Sequence, residues 1–255
     1  MKKALIAACM LLTAIPYSKA QTTLSQGTKT YDMTINLREQ VAKKNPAAAA
    51  LVPKETHVLM TVSFRNDMFS VTSGEVTSKE KSPGTTLQLS AGTDEKKIVD
   101  LKQRTVRGEY KINGKKYFVE EALHPATSIV YTKATKKILG YMVTKAIVTS
   151  DGKQYTVWFT AQLPDSYSPE ADLFAGIKGT VLEYSTDEYS CRATAVNPNG
   201  FKPASLIADA SARKISREQL EDLQEDAAAG QVENIAPSKA NGNTKQVTQK
   251  MIIKL

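Results

Sequence analysis

The chain has 255 residues, 41% hydrophobic and 24% charged, with 34 Lys and Arg against 26 Asp and Glu and a formal net charge of +8. Lysines are scattered in pairs such as Lys43-Lys44, Lys96-Lys97, Lys115-Lys116 and Lys136-Lys137, and no basic run is interleaved with aromatics. The excess charge therefore reads as solvated strand ends and turns, not as a nucleic-acid surface, and the length fits one large domain or a domain with an appendage.

Met1 to Ala20 has the form of a signal peptide: Lys2 and Lys3 lead an apolar stretch from Ala4 to about Pro16, and Ser18 and Ala20 supply small residues before the cleavage point. Cleavage makes Gln21 the mature N-terminus and leaves 31 basic residues against 26 acids, a charge of +5. It also removes the one long apolar run, so no transmembrane helix is expected afterwards. Ile6-Ala7-Ala8-Cys9 has the outline of a lipid-attachment box, but the apolar core should precede the modified cysteine, and here Met10 to Ile15 follows it. With Cys9 removed, Cys191 has no partner for an intramolecular disulfide although an exported compartment would permit one, so the core must hold the fold unaided.

From Lys29 the pattern has period two: Tyr31, Met33, Ile35 and Leu37 alternate with polar residues, as in a strand with one buried face. Arg38 to Pro53 breaks the pattern and reads as a loop with a short helix. Val58 to Phe64 and Met68 to Thr72 follow as strands about a turn at Arg65-Asn66-Asp67. Ser73 to Glu95 is rich in Ser, Thr, Gly and Lys, with a weak strand expected at Thr86 to Ser90. Ile98 to Ile112 and Lys115 to Glu121 flank Asn113-Gly114, a strong two-residue hairpin signal. Thr127 to Thr132 leads through a basic turn into a central hairpin, and Thr180 to Ser185 pairs with Glu188 to Val196 about Thr186-Asp187. Strand after strand with short connections predicts a mainly β fold, a large antiparallel sheet over residues 21–200.

Composition changes after Asn197-Pro198-Asn199-Gly200. In the extension over 201–255, Ser216-Arg217-Glu218-Gln219 has capping-box form, Leu220 and Leu223 give a modest apolar stripe, and Gly230 can end a helix over about 217–229. Gln231 to Lys250 reads as a flexible tail before the apolar Met251 to Leu255, which suits an added edge strand.

The central hairpin runs from Lys137 to Pro164 around Asp151-Gly152, a dipeptide suited to a type I′ turn. Pairing outward from that turn puts Val148 with Tyr155, Ala146 with Val157, Thr144 with Phe159 and Met142 with Ala161 on a core face. The other face carries Ile147 with Thr156, Lys145 with Trp158, Val143 with Thr160 and Tyr141 with Gln162. A tryptophan opposite a lysine on a mixed face is either an interstrand packing pair, with the lysine stem on the indole, or the floor of a ligand or partner groove made by Tyr141, Lys145 and Trp158. Gly176 and Gly179, three apart before a strand with Lys178 between them, suggest a tight turn or a close backbone approach. A phosphate cradle there would lack both Walker spacing and a following helix.

Ile-Leu-Gly-Tyr-Met-Val-Thr-Lys-Ala from Ile138, Asp-Gly-Lys-Gln-Tyr-Thr-Val-Trp-Phe-Thr from Asp151 and Leu163-Pro164 together resemble the core of the GLPGLI family of exported Bacteroidetes proteins. Gly-Ile-Lys-Gly-Thr-Val-Leu-Glu from Gly176 lies where that family has its naming motif. The two glycines keep their spacing, Ile177 replaces Leu, Lys178 replaces Pro, Thr180 and Val181 replace Leu and Ile, and Val143 stands where many members have Cys. The resemblance covers about Ile129 to Ser185. It implies a curved antiparallel sheet, similar in general form to the half-barrels of periplasmic lipoprotein carriers, and it carries no reaction with it.

Catalytic signatures are sparse. His57 and His124 are the two histidines, no His-Glu-x-x-His or Gly-x-Ser-x-Gly motif occurs, and acid pairs such as Glu120-Glu121 and Asp187-Glu188 sit beside strand ends and turns. No metal, cofactor or enzymatic activity is expected. Two function classes remain: a structural or protein-interaction protein, exported and periplasmic or bound to the outer envelope, or a periplasmic carrier that holds an apolar or lipid-like ligand on the concave face of its sheet.

Overall fold

Strands form where the alternation of apolar and polar residues predicts them. A computed structural model describes residues 24–44, 46–50, 52–78, 85–91, 96–124, 126–150, 152–163, 168–170, 173–232 and 247–253. The signal-peptide and Cys9 readings, Asp151, Pro164 and most of the tail expected to be flexible lie outside these residues. In order, the elements begin β1 (Gln26–Ile35), α1 (Leu37–Lys44), α2 (Pro46–Ala49), β2 (Thr56–Arg65), β3 (Met68–Thr77), β4 (Thr85–Ala91), β5 (Lys96–Asp100), β6 (Thr105–Ile112) and β7 (Lys115–Ala122). They continue with β8 (Ser128–Ile138), β9 (Tyr141–Ser150), β10 (Lys153–Thr160), β11 (Thr180–Ser185), β12 (Tyr189–Asn197), a 3-10 turn at Pro203–Leu206, β13 (Arg213–Lys214), α3 (Arg217–Val232) and β14 (Val247–Ile253).

The turns follow local chemistry. Asn113 and Gly114 take φ of 50° and 77°, as a type I′ loop requires, and Ser150 pairs with Lys153 across the central hairpin in the register that a two-residue loop imposes. Two expectations are corrected. Ile98 to Ile112 is two strands, because the chain reverses through residues 101–104 with Arg104 at φ 56°. The basic stretch before the central hairpin is no turn: Lys133, Lys136 and Lys137 belong to β8, and the reversal falls at Leu139-Gly140, with φ of 52° and 84°. At the C-terminal helix the capping box is reciprocal. Ser216 Oγ accepts from the Gln219 N–H and Gln219 Oε1 accepts from the Ser216 N–H, each at 3.1 Å. The helix runs past Gly230 to Val232.

Among the described residues twelve strands form one sheet in the order β13-β7-β6-β5-β3-β2-β1-β12-β11-β10-β9-β8, antiparallel throughout except where the short β13 runs parallel to β7. β14 and β4 pair in parallel as a separate ribbon. The large sheet consists of two meanders, β1-β2-β3-β5-β6-β7 and β8 to β12, joined by the pairing of β1 with β12, with β13 added beside β7. Consecutive strands β7 and β8 thus lie ten intervals apart in the sheet order. On a flat sheet that is about 48 Å. The link between Ala122 and Ser128 spans about 21 Å at most. The sheet therefore curls into an open half-barrel, and the link is fastened to both ends of it: the Leu123 N–H donates to Arg104 O (2.7 Å) and the Thr127 N–H to Thr149 O (2.9 Å).

The concave face carries the core. Tyr31, Met33, Val58, Val62, Phe64, Phe69, Val99, Ala146, Val148, Val157 and Tyr184 are all buried there in one cluster. Described residues from the stretch between β10 and β11 pack onto it. Phe174 is fully buried and meets Tyr155 and Tyr184 edge-on at 5.7 and 4.9 Å, Ile177 is buried beside it, and Glu170 reaches Lys97 on β5 at 3.6 Å. Burial pushes the Cys191 thiol up, which leaves little thiolate and an inert side chain.

Lys29 is an exception to the apolar rule, fully buried on the core side of β1 next to Tyr31. Its Nζ donates to Thr180 Oγ1 (2.9 Å) and lies 4.8 Å from the centre of the Phe64 ring. Burial pulls its pKa well below the usual lysine value, because desolvation disfavours the ammonium. In the unfolded chain the pKa is about 10.4. Between the two values the unfolded state binds more protons, so stability rises with pH; the penalty is complete below the folded pKa and gone above the unfolded one. Lys29→Met should therefore be more stable than the parent near neutral pH, with a gap that closes as pH approaches 10 in urea melts. A gap that does not change with pH would contradict this account.

Candidate functional site

The face opposite the core is where a groove was expected, and its register can be followed strand by strand. Leu59 on β2 pairs with Asp32 on β1, Asp32 with Arg192 on β12, Arg192 with Glu183 on β11, Glu183 with Trp158 on β10, and Trp158 with Lys145 on β9. Directly opposed residues share a face, so these side chains form one lateral row. Both carboxylates of the row have partners. Glu183 accepts from Lys136 of β8 and lies 3.5 Å from Arg192, while the Asp32 carboxylate lies 3.1 and 3.2 Å from His57 Nδ1, with Thr34 Oγ1 3.3 Å from the same nitrogen.

Of the expected groove residues, Lys145 and Trp158 are paired as the turn register requires, and Tyr141 stands at the far end of β9 opposite Ile138. Tyr141 and Trp158 are half-buried and pack on the core. The cation on the indole is Lys136, its Nζ 4.2 Å from the ring centre, and the pairing argument had assigned that place to Lys145. Lys136 was missed because the stretch that carries it reads as a basic turn. Placed on β8, it lies opposite Val143 and reaches across β9 to Trp158 and Glu183. Lys145 and Trp158 thus form a cross-strand pair, with the Lys136 ammonium over the indole.

Two bulges lie in the ladders that flank this hairpin. The register shifts between Tyr131 and Thr135 against β9, and between Trp158 and Phe159 against β11. At the far end of the hairpin the expected burial fails: Met142, assigned to the core, is 47% exposed, and Val143, assigned to the mixed face, is fully buried with Ile138. The pairing counted outward from the turn holds without a shift from Ser150–Lys153 to Thr144–Phe159, and the departures in burial come beyond that last pair, where β10 ends.

The Gly176-Ile177-Lys178-Gly179 turn closes the plug onto β11. Gly176 and Gly179 take φ of 105° and 139°, and the Gly179 N–H donates to Ile177 O at 3.1 Å. A Cβ on Gly179 would overlap the Thr160 carbonyl, its carbon only 2.8 Å away, whereas one on Gly140 would meet nothing within 4 Å. Lys178 points to solvent and Ile177 to the core. The turn's role is close backbone approach.

An open cleft of about 480 Å³ lies elsewhere, between β7, β13 and the start of α3. Its charged groups are also paired. Lys214 Nζ donates to Glu120 at 3.2 Å, Arg217 forks onto both Glu121 oxygens, and Arg217 Nη1 donates to Tyr110 OH at 3.1 Å. The Glu121 bonds hold the guanidinium pKa above its ordinary value. Among the described residues no three His, Cys, Asp or Glu side chains converge as ligands for a metal ion.

Two crystal forms of PNGF-II, in space groups C2 and P21, resemble this structure with TM-scores of 0.52 and 0.50 at 16% sequence identity. They cover 80% of this chain, and the chain covers 33% and 34% of theirs, so it spans about a third of the length of the structures it matches. The likeness is one of fold, a large β-sheet. No protein-family model matches the chain, and no curated protein matches it by sequence.

Two measurements check the site's reading. Gly179→Ala should cost about 2–4 kcal/mol in urea melts, because a strained φ is joined to a backbone clash. Gly140→Ala, strained but unobstructed, should cost about 1–2 kcal/mol. Equal costs would contradict the close approach. A double-mutant cycle on Lys136 and Trp158 should return a coupling of about 0.5–1 kcal/mol; zero coupling would remove the ammonium–indole contact from the account.

Proposed function

We propose that this chain is a non-enzymatic, exported protein of the cell envelope, of the GLPGLI type, with a structural or protein-interaction role. The observation that carries this reading is the burial of the side chains on the concave face. A carrier needs a continuous apolar cavity, and here Phe174, Ala175 and Ile177 pack into the core cluster with buried side chains. The outer face offers polar groups already spent on one another: Glu183 on Lys136 and Arg192, Asp32 on His57. What the fold leaves for function is its edges and its C-terminal extension, whose β13 and α3 lie against β6 and β7 through Tyr110, Val119, Ile215 and Leu220.

Membership of the GLPGLI family is supported by the behaviour of the motif turn. The two glycines that keep the family spacing are also the two that the backbone requires, at Gly176 by its φ and at Gly179 by contact with β10 as well. The test is fractionation and in-cell cross-linking of the full chain. The envelope-associated form should begin at Gln21, and defined envelope proteins should be recovered covalently joined to it. Unprocessed protein held in the cytoplasm, or recovery of the uncoupled chain alone, would overturn the proposal.

A further inference from the structure

The half-barrel ends on an open strand. β8 is the last strand of the sheet, bonded to β9 on one side and, among the described residues, to no strand on the other. The outer row of N–H and C=O groups on such a strand is a template for another one. Its side chains set it apart. Among the described residues six large hydrophobics are exposed, and four of them, Val130, Tyr131, Leu139 and Met142, belong to the β8–β9 hairpin at 43–59% exposure.

Charge adds a second, independent feature. β8 carries Lys133, Lys136 and Lys137 and no acid, and β9 adds Lys145 and no acid. Lys136 is engaged by Glu183 and the Trp158 ring. Lys133 and Lys137 are exposed, with no ion-pair partner among the described residues. The bulge between Tyr131 and Thr135 separates an apolar half of the edge, Ile129 to Tyr131, from a basic half, Lys133 to Lys137.

We infer that β8 receives an extended, acidic segment of another protein, which adds to the sheet as a further strand, sets apolar side chains beside Val130 and Tyr131, and brings carboxylates to Lys133 and Lys137. The inference rests on the reading of the chain as an interaction protein and names the chemistry of its partner. A second copy of this chain fits poorly, since its own β8 would bring three more lysines and no carboxylate to the edge. Lysines and bulges also guard edges against pairing, but a strand built only to repel would not be ringed by four exposed apolar side chains.

The test uses the processed full chain and two synthetic peptides that alternate valine or threonine with glutamate in one and with lysine in the other. The glutamate peptide should bind at least about tenfold more tightly, and added salt should weaken it, as expected where charge complementarity selects the partner. Binding should slow amide hydrogen exchange along residues 129–137. A Lys133→Glu, Lys137→Glu double variant, with both changes at exposed positions, should keep its melting temperature and reverse the preference. Equal binding of the two peptides, or binding with no slowing of exchange on β8, would overturn the inference. So would β8 amides already protected in the free protein together with concentration-dependent dimerisation, which would assign the edge to a second copy. Any of these failures leaves the envelope role standing, because that role is decided by processing and by neighbours recovered from whole cells.

Discussion

The short link between β7 and β8 is the constraint on which the rest of the structure depends. Ten strand intervals in sheet order have to be reconciled with six steps of chain, and curling the sheet is how one continuous sheet can do it. Once the sheet curls, its apolar face becomes an interior in which the core side chains are buried. The loop after β10 adds to it: Phe174 lies against Tyr155 and Tyr184, and Glu170 against Lys97, so strands from both meanders touch the same turn of chain. Lys29 is drawn into the same arrangement. Its amine ties β1 to Thr180, the residue that follows the motif turn, at the cost of a buried titratable group.

Much of this was legible in the sequence, and the parts that were not have physical causes. Alternation in Tyr31, Met33 and Ile35 and turn chemistry at Asn113-Gly114 are local signals, and they led to the correct strands and register because nothing distant competes with them. Strand order is a long-range property. Nothing local announces that β1 pairs with β12, or that β7 and β8 stand at opposite ends of the order. The Leu139-Gly140 turn was hidden because leucine is an unusual residue at positive φ, and three lysines nearby imitate a loop. The burial expected at Met142 and Val143 failed because both lie beyond Thr144–Phe159, the last pair of the β9–β10 ladder, where neighbouring chain that the hairpin's own sequence does not specify decides what is covered.

The candidate site shows the same division. Lys145 opposite Trp158 follows from counting outward from Asp151-Gly152, and the structure keeps that pair. The residues that complete the neighbourhood, Lys136, Glu183 and Arg192, arrive from three other strands, with both cations on the one carboxylate, and nothing local to the hairpin announces them. The glycines of the motif turn fare differently. Their spacing suggested close approach, and the Thr160 carbonyl is the group approached. With the acids of the outer row paired and the core side chains buried, the open edge at β8 is the surface with backbone hydrogen-bonding groups free for another strand.

Native mass spectrometry of the processed protein, taken from its own envelope without a lipid-extraction step, tests the central claim of a buried concave face most directly. The account predicts the mass of the polypeptide beginning at Gln21, with no stoichiometric apolar adduct and no change after organic extraction. A one-to-one adduct removed by extraction, with loss of the ordered packing around Phe174, would contradict it and restore the carrier.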